Sequence, residues 1–237
     1  AYQLVTRDYL NLSSYHFLNT TPTFGDMDGD GDEDMIVGNN NGTLAYFRNI
    51  APIGSTANFS FVVSPMVDGA GHIITVGFDA APQIVDVDGD GKPDIVVGND
   101  SYVSIFRNTA TSGSITSGSF ATRVDFNAGS FCNWVAVGDL DNDGKLDIAA
   151  IHNTPFGVSV FHNTATSGSI TAGSLATAFD LALSTYSNVA IGDIDGNGKP
   201  EIFGTNGPTV LYVFPNISTP GTLTTGSFSS RVDFTPT

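Results

Sequence analysis

Short apolar runs alternate along the chain with breaks rich in glycine, asparagine, serine and aspartate, and no stretch carries a helical period of useful length. The unit is clearest in the third quarter. Trp134–Val137 is apolar and β-prone, a polar loop follows at Asp139–Asp147, and Ile148–Ile151 resumes the apolar pattern. A turn signal at Asn153–Gly157 precedes Val158–Phe161, and a last strand falls near Leu175–Leu183. Four short strands with turn chemistry between them read as an antiparallel meander. The second strand recurs at Ile36–Gly38, Ile95–Gly98 and Ile202–Gly204, the third at Leu44–Phe47, Val103–Phe106 and Val210–Phe214. Segments like the fourth recur at Tyr2–Leu10, Phe59–Asp68, Phe120–Phe126 and Phe228–Phe234. That makes five outer strands for four cores. Residues 1–12 are therefore expected to be an extra outer strand belonging to a preceding unit; the plainer alternative is a chain end packed over an exposed sheet edge.

Between the first and second strands of each unit stands one nine-residue pattern, Asp-x-Asp-x-(Asp/Asn)-Gly-x-x-(Asp/Glu). Its copies are 26–34, 86–94, 139–147 and 193–201, at steps of 60, 53 and 54 residues. A period of this size with short strands around each copy predicts an all-β fold, a β-propeller built of four-stranded antiparallel blades. Four repeats are present, either an arc of a larger ring or a small four-blade ring. The expected array covers 1–237 without an internal boundary: blade 1 at 13–68, blade 2 at 69–127, blade 3 at 128–183 and blade 4 at 184–237. A connector repeats almost verbatim as Asn-Thr-Ala-Thr-Ser-Gly-Ser-Ile-Thr from Asn108 and from Asn163, with a looser copy from Asn216. Alone it resembles a flexible linker; at constant phase it reads as a long loop between the third and fourth strands.

Charge changes the picture. The net charge is −16, and the four loops hold 17 of the 24 Asp and Glu residues: six in the first, four each in the second and third, three in the fourth. Alternating carboxylates in a glycine-hinged loop converge on a point, and a hard cation with oxygen ligands, usually calcium, relieves their repulsion. Four such ions would bring the formal charge to about −8. The competing reading is a solvated Asp/Gly turn; four copies in phase favour the cation, about one site per repeat. The acidity argues against nucleic acid as a partner. With 41% hydrophobic residues the chain can build a core, and no apolar run reaches a membrane-spanning length. The single cysteine, Cys132, forms no internal disulfide. The opening Ala1-Tyr-Gln-Leu-Val carries no leader, so a leader has been removed or the chain is a piece of something longer.

The runs Phe24-Gly-Asp-Met-Asp-Gly-Asp-Gly-Asp-Glu-Asp-Met-Ile-Val-Gly38, Val137-Gly-Asp-Leu-Asp-Asn-Asp-Gly-Lys-Leu-Asp-Ile-Ala149 and Ile191-Gly-Asp-Ile-Asp-Gly-Asn-Gly-Lys-Pro-Glu-Ile202 resemble the FG-GAP/VCBS repeats of integrin α-subunit propellers and secreted bacterial surface proteins. The connector resembles the bacterial, secreted type. The resemblance implies calcium in the hairpin between strands one and two, opposite the usual ligand face, and an extracellular or cell-surface location. Carried over position by position, it implies side-chain ligands Asp26, Asp28, Asp30 and Asp34; Asp86, Asp88, Asp90 and Asp94; Asp139, Asp141, Asp143 and Asp147; and Asp193, Asp195, Asn197 and Glu201. Asp32, Lys92, Lys145 and Lys199, at the seventh loop position, would offer main-chain oxygen. With a neutral Asn197 and a longer Glu201, the fourth site is expected to bind most weakly. Such rings commonly have seven blades, whereas this sequence has four.

No nucleophile elbow, His-Glu-x-x-His or phosphate loop occurs. His16, His72, His152 and His162 read as surface or packing residues, and the chain as a non-enzyme. On the face away from the acidic loops the connections carry Tyr15, His16, Phe17, Tyr102, Phe131, Trp134, Phe156 and Tyr186. Exposed aromatics there could stack on sugars or anchor a protein; Tyr102, Phe156 and Tyr186 are the chosen candidates, while Trp134 and Phe131 are expected to fill space between blades. The expected role is adhesion or ligand binding within a larger secreted protein, with possible self-association through open blade edges. The alternatives are a lectin-like module accessory to a secreted hydrolase, and a structural spacer.

Overall fold

Alternation of side chains across each strand decides how this chain buries itself. The computed structural model describes residues 12, 18–111, 113–116, 118–153, 155–184, 188–206 and 210–235. The proposed extra strand at Tyr2–Leu10, together with Tyr15, His16, Phe17 and Tyr186, lies outside them. The described residues form four antiparallel four-stranded sheets, each a meander in sequence order. The first contains β1 (Thr21–Gly25), β2 (Asp34–Gly38), β3 (Leu44–Asn49) and β4 (Phe59–Val63), and the second β5 (Gln83–Val85), β6 (Asp94–Asn99), β7 (Tyr102–Phe106) and β8 (Val124–Asn127). The third contains β9 (Val135–Gly138), β10 (Asp147–Asn153), β11 (Phe156–Phe161) and β12 (Phe179–Ala182). The fourth contains β13 (Val189–Gly192), β14 (Glu201–Asn206), β15 (Val210–Phe214) and β16 (Val232–Phe234). The helical content of the described strand-bearing region is one 3₁₀ turn, Thr225–Ser227, and none of it is long and apolar enough to cross a membrane.

β6 is buried along its whole length and β10 along all but its last residue, because each meets a neighbouring sheet on both faces. Ile95 and Val97 of β6 join Ile36, Leu44 and Tyr46 of the first sheet. Val96, one residue out of phase, faces the third sheet with Val103 and Ile105, meeting Val135, Ile148 and Ala150. On the other side of β10, Ala149 and Ile151 pack with Val189, Ile202, Tyr212 and Phe214 of the fourth sheet. The leading strands also touch in order, β1 against β5, β5 against β9 and β9 against β13. No comparable contact joins β13 to β1 among the described residues. Gly38 and Gly98 permit this stacking: a Cβ on Gly38 would clash with the Ala80 carbonyl, and one on Gly98 with that of Cys132, where the chain crosses to the next sheet.

The fourth strands are shorter than the apolar pattern predicts. Phe120, Leu175 and Phe228 do not continue the ladder; each makes an isolated bridge to Asn108, Asn163 or Asn216 at the start of its connector. The connector thus folds back on itself, and these three side chains plug the core between sheets. Among the described residues it is a hairpin-like clasp, not a loose linker.

Candidate metal centres

All four acidic loops link the first and second strands of a sheet, so they lie at the same end of the four meanders. Their shape comes from residues with positive φ at the fourth and sixth positions: Gly29 and Gly31, Gly89 and Gly91, Asn142 and Gly144, Gly196 and Gly198. Asn142 tolerates that conformation, and its amide donates to the Gly198 carbonyl of the next loop at 2.8 Å. Around these hinges the first-position carboxylate accepts two or more backbone N–H groups. Asp26 Oδ1 accepts from Asp30 N and its Oδ2 from Gly31 N, both at 3.0 Å. Asp86 takes Asp90 and Gly91, Asp139 takes Asp143 and Gly144, and Asp193 takes Asn197 and Gly198 in the same way. Fifth-position oxygens accept from the N–H of residue seven: Asp30 from Asp32, Asp90 from Lys92, Asp143 from Lys145 and Asn197 from Lys199.

The ninth-position acids are buried clamps. Asp94 accepts from Asn108 N at 2.7 Å and Val87 N at 3.1 Å, and Asp147 from Asn163 N and Leu140 N, both at 2.9 Å. Asp34 accepts from Asn49 N at 2.9 Å and the Tyr46 hydroxyl at 2.8 Å. Glu201 repeats the arrangement more loosely, with 3.1 Å to Ile194 N and 3.5 Å to Asn216 N. Burial pushes Asp94 and Asp147 up to about 7 despite these donors, and raises Asp34 as well.

The third position differs. Asp28, Asp88 and Asp141 are almost wholly buried, and burial raises the pKa of each. Yet no hydrogen bond of normal geometry reaches Asp28 Oδ2, Asp88 Oδ2 or either oxygen of Asp141. Buried carboxylate oxygens without donors are costly unless a positive charge meets them. Each loop also gathers donor oxygens within 4.8 Å of one another: Asp26, Asp28 and Asp34; Asp86, Asp88 and Asp90; Asp139, Asp141 and Asp147; Asp193, Asp195 and Glu201. These residues fit a divalent cation held by oxygen. Asp30 and Asp94 are not part of those groups; Asp30 Oδ2 instead meets Arg48. Of the seventh-position residues, Lys199 turns away and donates from Nζ to the Ser218 carbonyl at 2.7 Å.

Sequence reasoning missed the side chains facing these loops from the end of each third strand. Arg48 brings Nε to 2.9 Å from Asp28 Oδ2 and a terminal nitrogen to 2.8 Å from Asp30 Oδ2, and holds Asp30 below its ordinary value. Arg107 stands 3.5 Å from Asp90 Oδ2. His162 Nε2 lies 3.3 Å from Asp141 Oδ2 and 3.5 Å from Asp143 Oδ2. Pro215 holds the fourth place. The signal was present as Phe-x-Asn: Phe47-Arg-Asn49, Phe106-Arg-Asn108, Phe161-His-Asn163 and Phe214-Pro-Asn216. His162, read from sequence as a surface or packing residue, stands at the same repeat position as both arginines.

The asparagines of that frame join neighbouring sheets. Asn108 donates to the Met27 carbonyl of the preceding loop at 2.8 Å, Asn163 to Val87 at 2.8 Å and Asn216 to Leu140 at 2.7 Å. The connectors reach the same loops, Gly113 N donating to Asp28 O and Gly221 N to Asp141 O. Between successive loops lies a cleft of about 190 Å³ lined by Asp26, Asp28, Gly91 and Lys92.

At the opposite end, Tyr102 and Phe156 begin the third strands directly after the turns and are 42% and 41% exposed. Phe131, expected to fill space, is 58% exposed at a positive-φ position, where the chain turns it outward. Trp134 packs against the core between the third and fourth sheets, as expected.

Residues 86–150, which run from the second acidic loop through the third, match the FG-GAP-like repeat family. No curated protein matches the chain.

Proposed function

We propose that this chain, with its FG-GAP-like repeat at residues 86–150, is a calcium-stabilised, non-catalytic β-propeller module of an extracellular protein. The four sheets are its blades, and the leading strands, packed in succession, line its axis. The observation that carries the calcium reading is the buried third-position carboxylate oxygen without a hydrogen-bond donor, Oδ2 of Asp88 and both oxygens of Asp141, within rings of further oxygens. A cation at each loop ties the turn between two short strands and holds their register. Titration calorimetry with calcium tests it: Asp88→Asn and Asp141→Asn should each remove one site. Wild-type protein that binds no calcium, or variants that keep every site, would overturn the reading.

The face away from the loops is the ligand surface of this proposal, and its partner is a protein or a glycan. Support comes from the exposed Tyr102 and Phe156 at strand starts on that face; Tyr186 belongs to the same proposal from its place in the sequence. A net charge of −16 disfavours nucleic acid. The lectin-like alternative is separated by a glycan array: sugar binding abolished by Tyr102→Ala or Phe156→Ala favours it, and capture of a protein partner with no glycan signal favours adhesion.

A further inference from the structure

The third acidic loop has a donor that the others lack. At the four equivalent strand ends stand Arg48, Arg107, His162 and Pro215. A guanidinium has no lone pair to give, and proline offers no side-chain donor, so imidazole alone can bind a metal through nitrogen. His162 Nε2 is buried and has no hydrogen-bond partner. It stands 3.3 Å from Asp141 Oδ2 and 3.5 Å from Asp143 Oδ2. Donor atoms sharing one ion at bonds of ~2.1 Å sit about 3.0–3.4 Å apart, so this spacing suits a common small cation. Asp141 is fully buried with both oxygens free of hydrogen bonds, and it belongs both to this group and to the all-oxygen group with Asp139 and Asp147.

The geometry points to a mixed imidazole–carboxylate centre in the third loop, formed by His162, Asp141 and Asp143, that takes a borderline divalent ion of the zinc class in preference to calcium. Imidazole nitrogen suits such ions, whereas calcium favours sites made of oxygen alone. The chain then carries two kinds of metal position: one selective for a transition ion and three for a hard cation. This rests on the reading of the loops as cation sites and narrows it for one of them.

The test is zinc titration of the full, calcium-saturated chain, followed by metal analysis and zinc-edge X-ray absorption. The expected result is one zinc per chain, displacing one calcium, with an imidazole signature. His162→Gln should weaken zinc binding by at least about tenfold while calcium stays at the other three loops. His162→Arg, which installs the residue found at position 48, should keep the fold by circular dichroism and also lose zinc, so a glutamine variant that fails to fold does not block the result. His72→Gln, which alters an exposed histidine, should leave zinc binding unchanged. Zinc bound equally well without His162, spread over all four loops, or lost with His72→Gln overturns the inference. Four calcium sites and no zinc site removes this inference alone; no binding of either ion removes the calcium reading too.

Discussion

In the first loop Arg48 reaches back from β3 and pairs with Asp28 and Asp30; in the fourth, Pro215 occupies the equivalent place and no side-chain cation faces the carboxylates from that strand end. The fourth loop answers with Asn197, whose amide donates to Asp195 Oδ2 at 2.9 Å, and it leaves Asp193 and Asp195 exposed where Asp28 is buried. Both loops close through the same backbone hydrogen bonds. What differs is the counter-charge: the first loop is partly neutralised by Arg48, whereas the fourth has only the neutral Asn197 amide and exposure to solvent. A shared motif therefore fixes loop shape, while the residue opposite it sets how much of the loop's negative charge the chain itself balances.

Removing all cations should produce the largest effect. Saturating four independent sites at a hundredfold excess over Kd stabilises by roughly 10 kcal/mol, enough to unfold a domain of ordinary stability when withdrawn. Calorimetric melting with and without a chelator measures this, and identical traces would break the comparison at its root.

A pH dependence of the chelated protein comes next. Asp94 and Asp147 are raised from 3.8 to about 7 by burial. The folded state therefore holds protons that the unfolded chain releases. Their stabilising contribution is complete below about 3.8 and is lost as pH rises through about 7, where the ionised carboxylates stand buried. Asp30 and Asp68, both lowered, act in the opposite sense at the acid end. Urea unfolding should show stability falling between pH 4.5 and 7.5 by roughly 3 kcal/mol for each of the two groups. Asp94→Asn and Asp147→Asn should flatten the slope, and a slope unchanged in that double variant would place its origin elsewhere.

The ninth-position clamp offers a sharper contrast between the two loops. Asp34 is tied by short bonds to Tyr46 and Asn49, and Glu201 by longer ones. Asp34→Ala should cost about 3 kcal/mol, since it strands a buried hydroxyl and a backbone N–H. Glu201→Ala should cost about 1 kcal/mol. Equal losses in denaturant titrations would show that bond length does not grade these clamps.

The smallest effect is the most diagnostic. Arg48→Gln should destabilise the chelated protein by about 1–2 kcal/mol, because Asp28 loses its partner, and should tighten calcium binding in the first loop. Pro215→Arg should weaken the fourth. Calcium titrations of the two variants that move in the same direction would contradict the account of Arg48 as an internal counter-charge.

Much of the fold was legible because it is written in short-range pattern. Val210–Phe214 forms the strand its apolar run implies, and the second and third strands of the other units differ from expectation by one or two residues at their ends. The fourth strands were overextended, because Phe120, Leu175 and Phe228 read as the first residues of strands and act instead as plugs between sheets. Phe131 was misplaced for a similar reason: its apolar character suggested burial, but its positive φ turns it out. Of the site, the acidic loops were plain from glycine and aspartate spacing, whereas the partners of Asp28, Asp90 and Asp141 were not.

The sequence alone determined the loops. Hydrogen bonds from the first- and fifth-position side chains span at most five residues, and with left-handed hinges at fixed positions they give all four loops the same turn. Tertiary structure decided the rest. Only strand pairing sets His162 against Asp141 and Arg48 against Asp28, and only stacking of sheets carries Asn163 to Val87. Local backbone preference reaches a few residues along the chain, while electrostatic and packing energies depend on distance through space.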